Sequence, residues 1–128
     1  MEKGIIKGLA HIGVFVRDIK KSVDFYKRLG FNLDNEAETV VKLAFLSAGT
    51  CLIELVEKSD IPAREAGMVD HIAMEVDDIA AAIENANANG IEIDASAIAE
   101  VPILGGVRNV FFTGPDGERL EFFEYAKK

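Results

Sequence analysis

Apolar residues at Ile12, Val14 and Val16 alternate with residues that must point the other way, and Ile72, Met74 and Val76 repeat the alternation. A period of two predicts a half-buried strand in each stretch. The period then lengthens. Ile19, Val23, Tyr26 and Leu29 fall on one helical face, with Ile79, Ile83 and Ala86 as their counterparts. Asp18 and Asp78 suit the starts of these helices, because a carboxylate accepts the unpaired N–H groups of a first turn. Gly30 and Gly90 suit their ends. Three more strands are expected after each helix, over 31–36, 39–48 and 51–57, then over 91–99, 107–113 and 118–125. The run GPDG (Gly114 to Gly117) is a turn signal. EVPILGG (Glu100 to Gly106) reads as a loop, and EKSDIPAREAG (Glu57 to Gly67) as a polar linker.

The two halves are copies. At an offset of sixty, His11, Ile12, Val16, Asp18, Ile19, Gly30, Leu33 and Asp34 face His71, Ile72, Val76, Asp78, Ile79, Gly90, Ile93 and Asp94. The match returns in AFLSAGTCLIELVE (Ala44 to Glu57) and VFFTGPDGERLEFFE (Val110 to Glu124), where Glu54 faces Glu121 and Glu57 faces Glu124. The expected architecture is α+β, two βαβββ modules in tandem. Module one covers about 7–57, the linker 58–67 and module two about 68–125, within one domain spanning 1–128.

Charge and composition narrow the function. A net charge of −8 disfavours phosphate backbones, so no nucleic-acid partner is expected. No apolar run approaches the ~20 residues of a membrane helix, so no membrane partner is expected. The opening MEKGIIKGLA lacks the apolar core of a signal peptide. Cys51 is the lone cysteine, which rules out an intrachain disulfide and suits a reducing, cytoplasmic location. It also lies in or beside a turn with no neighbouring His in the sequence, which argues against a nucleophilic role.

The chain has two histidines, and both open a module. If Ile12, Val14 and Val16 pack under the helix, His11, Gly13 and Phe15 face the other way. The same parity sends His71, Glu54 and Glu121 to the faces opposite the helices. A lone histidine at a strand start is ordinarily a satisfied polar residue, and a lone strand Glu ordinarily faces solvent. Recurrence in register on one face favours a shared site instead. Pairing the two sheets about a pseudo-twofold axis would bring the two His and two Glu together. Glu57 and Glu124 also recur, but on the other parity at strand ends, and are expected to be solvated. Two imidazoles and two carboxylates suit a divalent metal such as Ni, Co, Zn, Fe or Mn, with two of six positions left for water or substrate oxygens. Phe15, Phe45 and Phe123 are candidates for an apolar substrate wall, and Arg108 for an anion contact beside Gly105 and Gly106. Core packing or a solvated charge is an equal alternative for each.

The paired modules with HIGVFVRDIKKSVDFYKRLGF, CLIELVE, HIAMEVDDI and FFTGPDGERLEFFE resemble the vicinal oxygen chelate superfamily over about 7–125. That superfamily includes glyoxalase I, methylmalonyl-CoA epimerase, extradiol dioxygenases, fosfomycin-resistance enzymes and bleomycin binders. His11, Glu54, His71 and Glu121 match the His/Glu/His/Glu ligand set of bacterial glyoxalase I. The resemblance implies a lyase or isomerase acting on a 2-oxoaldehyde thiol adduct through an enediolate, with Glu121 moving the proton and Glu54 as its pseudo-symmetric partner. The alternatives it carries are an epimerase acting on a 2-substituted malonyl or oxo-thioester, and a non-enzymatic binding or resistance protein. Glutathione-using members have Arg four residues after the first His and Asn four after the first Glu. Phe15 and Lys58 stand there in this chain, so glutathione adducts are expected to be poor substrates. Members commonly pair. The short run from Glu54 to His71 resembles the glyoxalase I arrangement, in which copy one of one chain faces copy two of the other, and the resemblance implies a homodimer whose site takes His11 and Glu54 from one chain and His71 and Glu121 from the other.

Overall fold

The computed structural model describes Gly4, residues 8–62 and residues 69–127. Half of the linker expected over 58–67 (63–67) and the first residue of module two, Met68, lie outside them. Module one runs β1 (Ile12–Val16), α1 (Ile19–Leu29), β2 (Asn32–Glu38), β3 (Lys42–Ala48) and β4 (Cys51–Glu57). Module two runs β5 (Ile72–Glu75), α2 (Ile79–Ala88), a short 3-10 turn over Ala95–Ala97, β6 (Ala99–Val101), β7 (Val107–Thr113) and β8 (Arg119–Tyr125). Each module is a four-stranded mixed sheet, ordered β1-β4-β3-β2 and β5-β8-β7-β6. The α+β, twice-repeated architecture is therefore the one the periodicity predicts.

Each first strand pairs in parallel with its module's last strand, Ile12 opposite Ile53 and Ile72 opposite Leu120. A parallel pair cannot be joined by a hairpin, so the chain crosses over through the helix. The helix starts are those read from the sequence. Asp18 accepts from the Lys21 N–H at 3.3 Å, and Asp78 from Ala81 at 3.1 Å. Gly30 ends α1 with φ 115°, a left-handed conformation that a side chain would strain.

Glu57 and Glu124 are not the solvated residues expected. Glu57 Oε2 accepts from the Ile19 N–H at 3.0 Å, and Glu124 Oε2 from Ile79 at 2.7 Å. Their parity puts them on the helix side. Parallel pairing sets Glu57 opposite Val16, where β1 gives way to α1. Each helix start thus has two carboxylates against its free N–H groups and the positive end of its dipole. The repeat at these positions marks a structural anchor.

The second difference is at 91–99, expected to be a strand. Only Ala99–Val101 pairs, against β7. The Asn87 amide takes both backbone groups of Ile93, accepting from its N–H at 2.8 Å and donating to its carbonyl at 3.2 Å. Asp94 then turns the chain by accepting from the Ser96 N–H at 2.9 Å. These side-chain bonds replace a ladder. Ile91 and Ile93 still enter the core.

The helix-side residues of both modules form one hydrophobic cluster, from Val16, Leu46, Ile53 and Leu55 to Ile79, Ile83, Val110 and Leu120. Phe25 and Ser22 join Ile19 and Tyr26 on the buried face of α1, while Val23 and Leu29 are only partly covered. The β7–β8 turn locks the modules together. Asp116, 5% exposed, accepts from Arg17 Nε at 2.7 Å and from the Ser22 hydroxyl at 3.4 Å. The fully buried Tyr26 donates its hydroxyl to Glu118 at 2.9 Å. Burial first, and then the Glu118 carboxylate, push the Tyr26 phenol well above its ordinary range. Among the described residues no helix is long and apolar enough to cross a membrane.

Candidate functional site

Because the helix sides share the core, no described element covers the opposite sheet faces. Phe15 is 47% exposed and Phe111 40% exposed on them. The histidines and their glutamates lie on these faces. In module one, His11 precedes β1, and Gly13 stands opposite Glu54 on β4. His11 Nε2 lies 3.5 Å from Glu54 Oε1. In module two, His71 precedes β5, and Ala73 stands opposite Glu121 on β8. His71 Nε2 lies 3.2 Å from Glu121 Oε1. In each pair the same ring nitrogen turns toward a carboxylate oxygen, so two metal-donor atoms converge on one spot. Small residues keep that spot open: a Cβ added at Gly13 would sit 3.7 Å from Glu54 Oε1, an ordinary contact, which is why Ala serves equally in module two.

The four donors do not gather within one chain. Among the described residues there is no group of three or more His, Cys, Asp or Glu side chains able to hold a metal ion. The pairing of the two sheets that would unite them therefore does not occur within the single chain. The modules pack through their helix sides, which leaves each His/Glu pair on its own open face. Two donors are too few for a protein-bound divalent ion of this kind, and two such pairs supply four. The chemistry of the donor set fits a metal only if two half-sites meet.

An aromatic ring flanks each pair. Phe45, opposite Glu54, meets His11 edge-on with centroids 5.6 Å apart, and Phe111, opposite Glu121, meets His71 edge-on at 5.4 Å. Phe15 shares the open face of module one, with the Lys58 ammonium 5.8 Å from its ring centre. Phe123 lies on the open face of module two, edge-on to Tyr125. Arg108 does not share these faces. It stands opposite Glu124 on the helix side of β7, with Nη1 3.5 Å from Glu124 Oε1. Two positions along β8 from Glu121 reverse neither parity nor face, but Arg108 pairs with the other parity, so strand geometry separates it from the histidines.

Three further residues join the module-two pair. Asn109 donates its amide to Glu121 Oε2 at 2.7 Å. Asp70 Oδ2 lies 2.7 Å from His71 Nδ1. Arg119 hydrogen-bonds the same Asp70 oxygen, and its guanidinium stacks over the Phe111 ring at 4.0 Å. The hydrogen bond with His71 holds the Asp70 carboxyl below the usual carboxylate range, and Arg119 adds to the effect. The repeat could not reveal these residues, because their counterparts in module one are Leu43, Ala10 and Leu52. The signal available was the asymmetry itself: polar residues in one copy where the other has apolar ones.

Residues 8–122 match the model of the Glyoxalase/Bleomycin resistance protein/Dioxygenase superfamily. The chain is 37% identical over 127 residues to the uncharacterised protein YwbC of Bacillus subtilis, covering 92% of this chain and 98% of that protein. It is 33% identical over 126 residues to the lactoylglutathione lyase of Escherichia coli O157:H7, covering 91% of each. Its fold superposes on the crystal structure of a glyoxalase family protein from Enterococcus faecalis with a TM-score of 0.80 and 27% identity, covering 92% of this chain and 98% of that one. With the repeated βαβββ modules and open sheets, these matches place the chain in the Glyoxalase/Bleomycin resistance protein/Dioxygenase superfamily, the vicinal oxygen chelate proteins.

Proposed function

We propose that two copies of the chain join their open faces, so that His11 and Glu54 of one protomer meet His71 and Glu121 of the other, and that the joined site is a metal-dependent lyase or isomerase of the glyoxalase I type. The observation that carries this reading is the equivalence of the two half-sites: the same pair of donors, at the same strand positions, on the two faces left uncovered. A divalent ion held by the four donors, Ni, Co, Zn, Fe or Mn, would supply a Lewis acid with two positions open to adjacent substrate oxygens and would stabilise the negative charge that builds on them.

The residues supply the rest. Glu121, whose side chain is 4% exposed, takes the proton from the carbon beside the carbonyl and returns it to the neighbouring carbon. Glu54, at 24% exposed, is its pseudo-symmetric partner. Phe15, Phe45 and Phe123 form an apolar wall that excludes water from the reacting carbons. The substrate class is a 2-oxoaldehyde thiol adduct or a similar molecule with vicinal oxygens. Phe15 and Lys58 stand where the glutathione-using relatives are expected to carry Arg and Asn, so the thiol is one other than glutathione.

The test is metal analysis of the purified protein followed by a panel in D₂O: methylglyoxal with several thiols, set against acyl-CoA epimerisation. One ion per joined site, together with turnover of a hemithioacetal, is the expected result. Epimerisation alone would replace the lyase reading with the isomerase one. Absence of bound metal with tight binding of an unreacted ligand would overturn both.

A further inference from the structure

The two half-sites share their donors but not their surroundings. In module two a ring of contacts closes around His71. Asp70 meets its Nδ1 at 2.7 Å, Arg119 holds the same Asp70 oxygen, Arg119 stacks on Phe111 at 4.0 Å, and Phe111 meets the His71 ring edge-on at 5.4 Å. Glu121 is fixed on its far side by Asn109. Among the described residues of module one, only the Phe45 contact with His11 has an equivalent. Ala10 and Leu52 cannot reproduce an Asp–Arg pair, and Leu43 cannot donate to Glu54.

We infer that Asp70, held in place by Arg119, is a positioning residue that fixes His71 as the pre-oriented metal donor of the joined site. This rests on the shared-site reading above. The physical reason is in the imidazole. A neutral ring has one N–H, and the nitrogen that lacks it is the one free to donate to a metal. A carboxylate at 2.7 Å from Nδ1 holds the proton there and leaves the Nε2 lone pair facing Glu121 Oε1, where the donors converge. Arg119 keeps Asp70 from turning to solvent, which matters because the Asp70 side chain is 48% exposed. Among the described residues His11 has no such partner, so its ring must lose more rotational and tautomeric freedom when it ligates.

The test uses the whole chain as wild type, Asp70→Ala, Asp70→Asn and Arg119→Met. The first readout needs no metal: the ¹⁵N shifts of both histidine rings in the apo protein, at a pH where they are neutral. His71 is expected to be the Nδ1–H tautomer in wild type and in Asp70→Asn, whose amide oxygen still accepts, and to move toward Nε2–H in Asp70→Ala, with His11 unchanged throughout. The second readout is Co²⁺ affinity by chelator competition. Asp70→Ala is expected to weaken it by about 10- to 100-fold, Arg119→Met to weaken it less, and Asp70→Asn to restore most of it. A wild-type His71 in the Nε2–H form, or an unchanged Co²⁺ affinity in Asp70→Ala, overturns the inference. A wild type that takes up no Co²⁺ overturns the shared-site reading instead, and the tautomer readout then still decides the role of Asp70.

Discussion

Glu54 and Glu121 occupy equivalent positions and differ in how tightly they are held. Glu121 has His71 on one oxygen and Asn109 on the other, while among the described residues Glu54 has His11 alone, at the longer distance of 3.5 Å. Glu121→Gln keeps the shape and an oxygen donor but removes the base. Turnover is expected to fall by about 10²- to 10⁴-fold with metal still bound, and Glu54→Gln to be milder; kcat and metal content of each variant, measured side by side, check this. Equal and negligible losses in both would remove Glu121 as the proton carrier. These residues were legible in the sequence because strand alternation and an internal repeat both pointed at them. Asn109, Asp70 and Arg119 were not, since a repeat reveals only what two copies share. Arg108 stands apart from the histidines for a different reason. It lies in β7, within the strand expected over 107–113, and pairing with Glu124 turns it to the helix side.

The helices and most strands follow from sequence periods and their punctuation. The strand expected over 91–99 fails because period two cannot tell a ladder from a chain whose backbone is bonded by side chains, here those of Asn87 and Asp94. Glu57 and Glu124 show the reverse, a repeat whose meaning needed the parallel pairing of β1 with β4 and β5 with β8. Each accepts from the first N–H of a helix, so Glu57→Ala and Glu124→Ala are each expected to cost about 1 kcal/mol of stability and to leave metal content unchanged. Urea unfolding beside metal analysis separates the two effects. The turn at Gly114 is tighter still. A Cβ there would lie 2.2 Å from Glu118 Cδ, the side chain that accepts from Tyr26 and from the Asp116 N–H. Gly114→Ala is expected to loosen the contact between modules and lower the thermal midpoint, and an unaltered midpoint would show that Glu118 can move without consequence.

At the scale of the molecule, one core built from both helix sides decides where the chemistry can be. It buries Tyr26 with its phenol raised well above the ordinary value of about 10. The folded chain therefore holds that proton more tightly than the unfolded chain. The associated stability is complete below the unfolded pKa and is lost as pH climbs toward the folded one, so stability is expected to fall above about pH 10, and to fall less in Tyr26→Phe; denaturation across alkaline pH measures both. The same core turns the two His/Glu pairs away from each other, and one chain offers two half-sites. The central claim is that a second copy completes them. Mixing His11→Ala chains with His71→Ala chains, unfolding and refolding them together, tests it directly. In a heterodimer with a shared site, one site loses both histidines and the other keeps every donor. Random pairing should then restore about a quarter of the wild-type sites, read as bound metal and as turnover, where each variant alone restores none. Recovery no greater than the sum of the two variants, from a mixture shown by sedimentation to contain heterodimers, would contradict the claim.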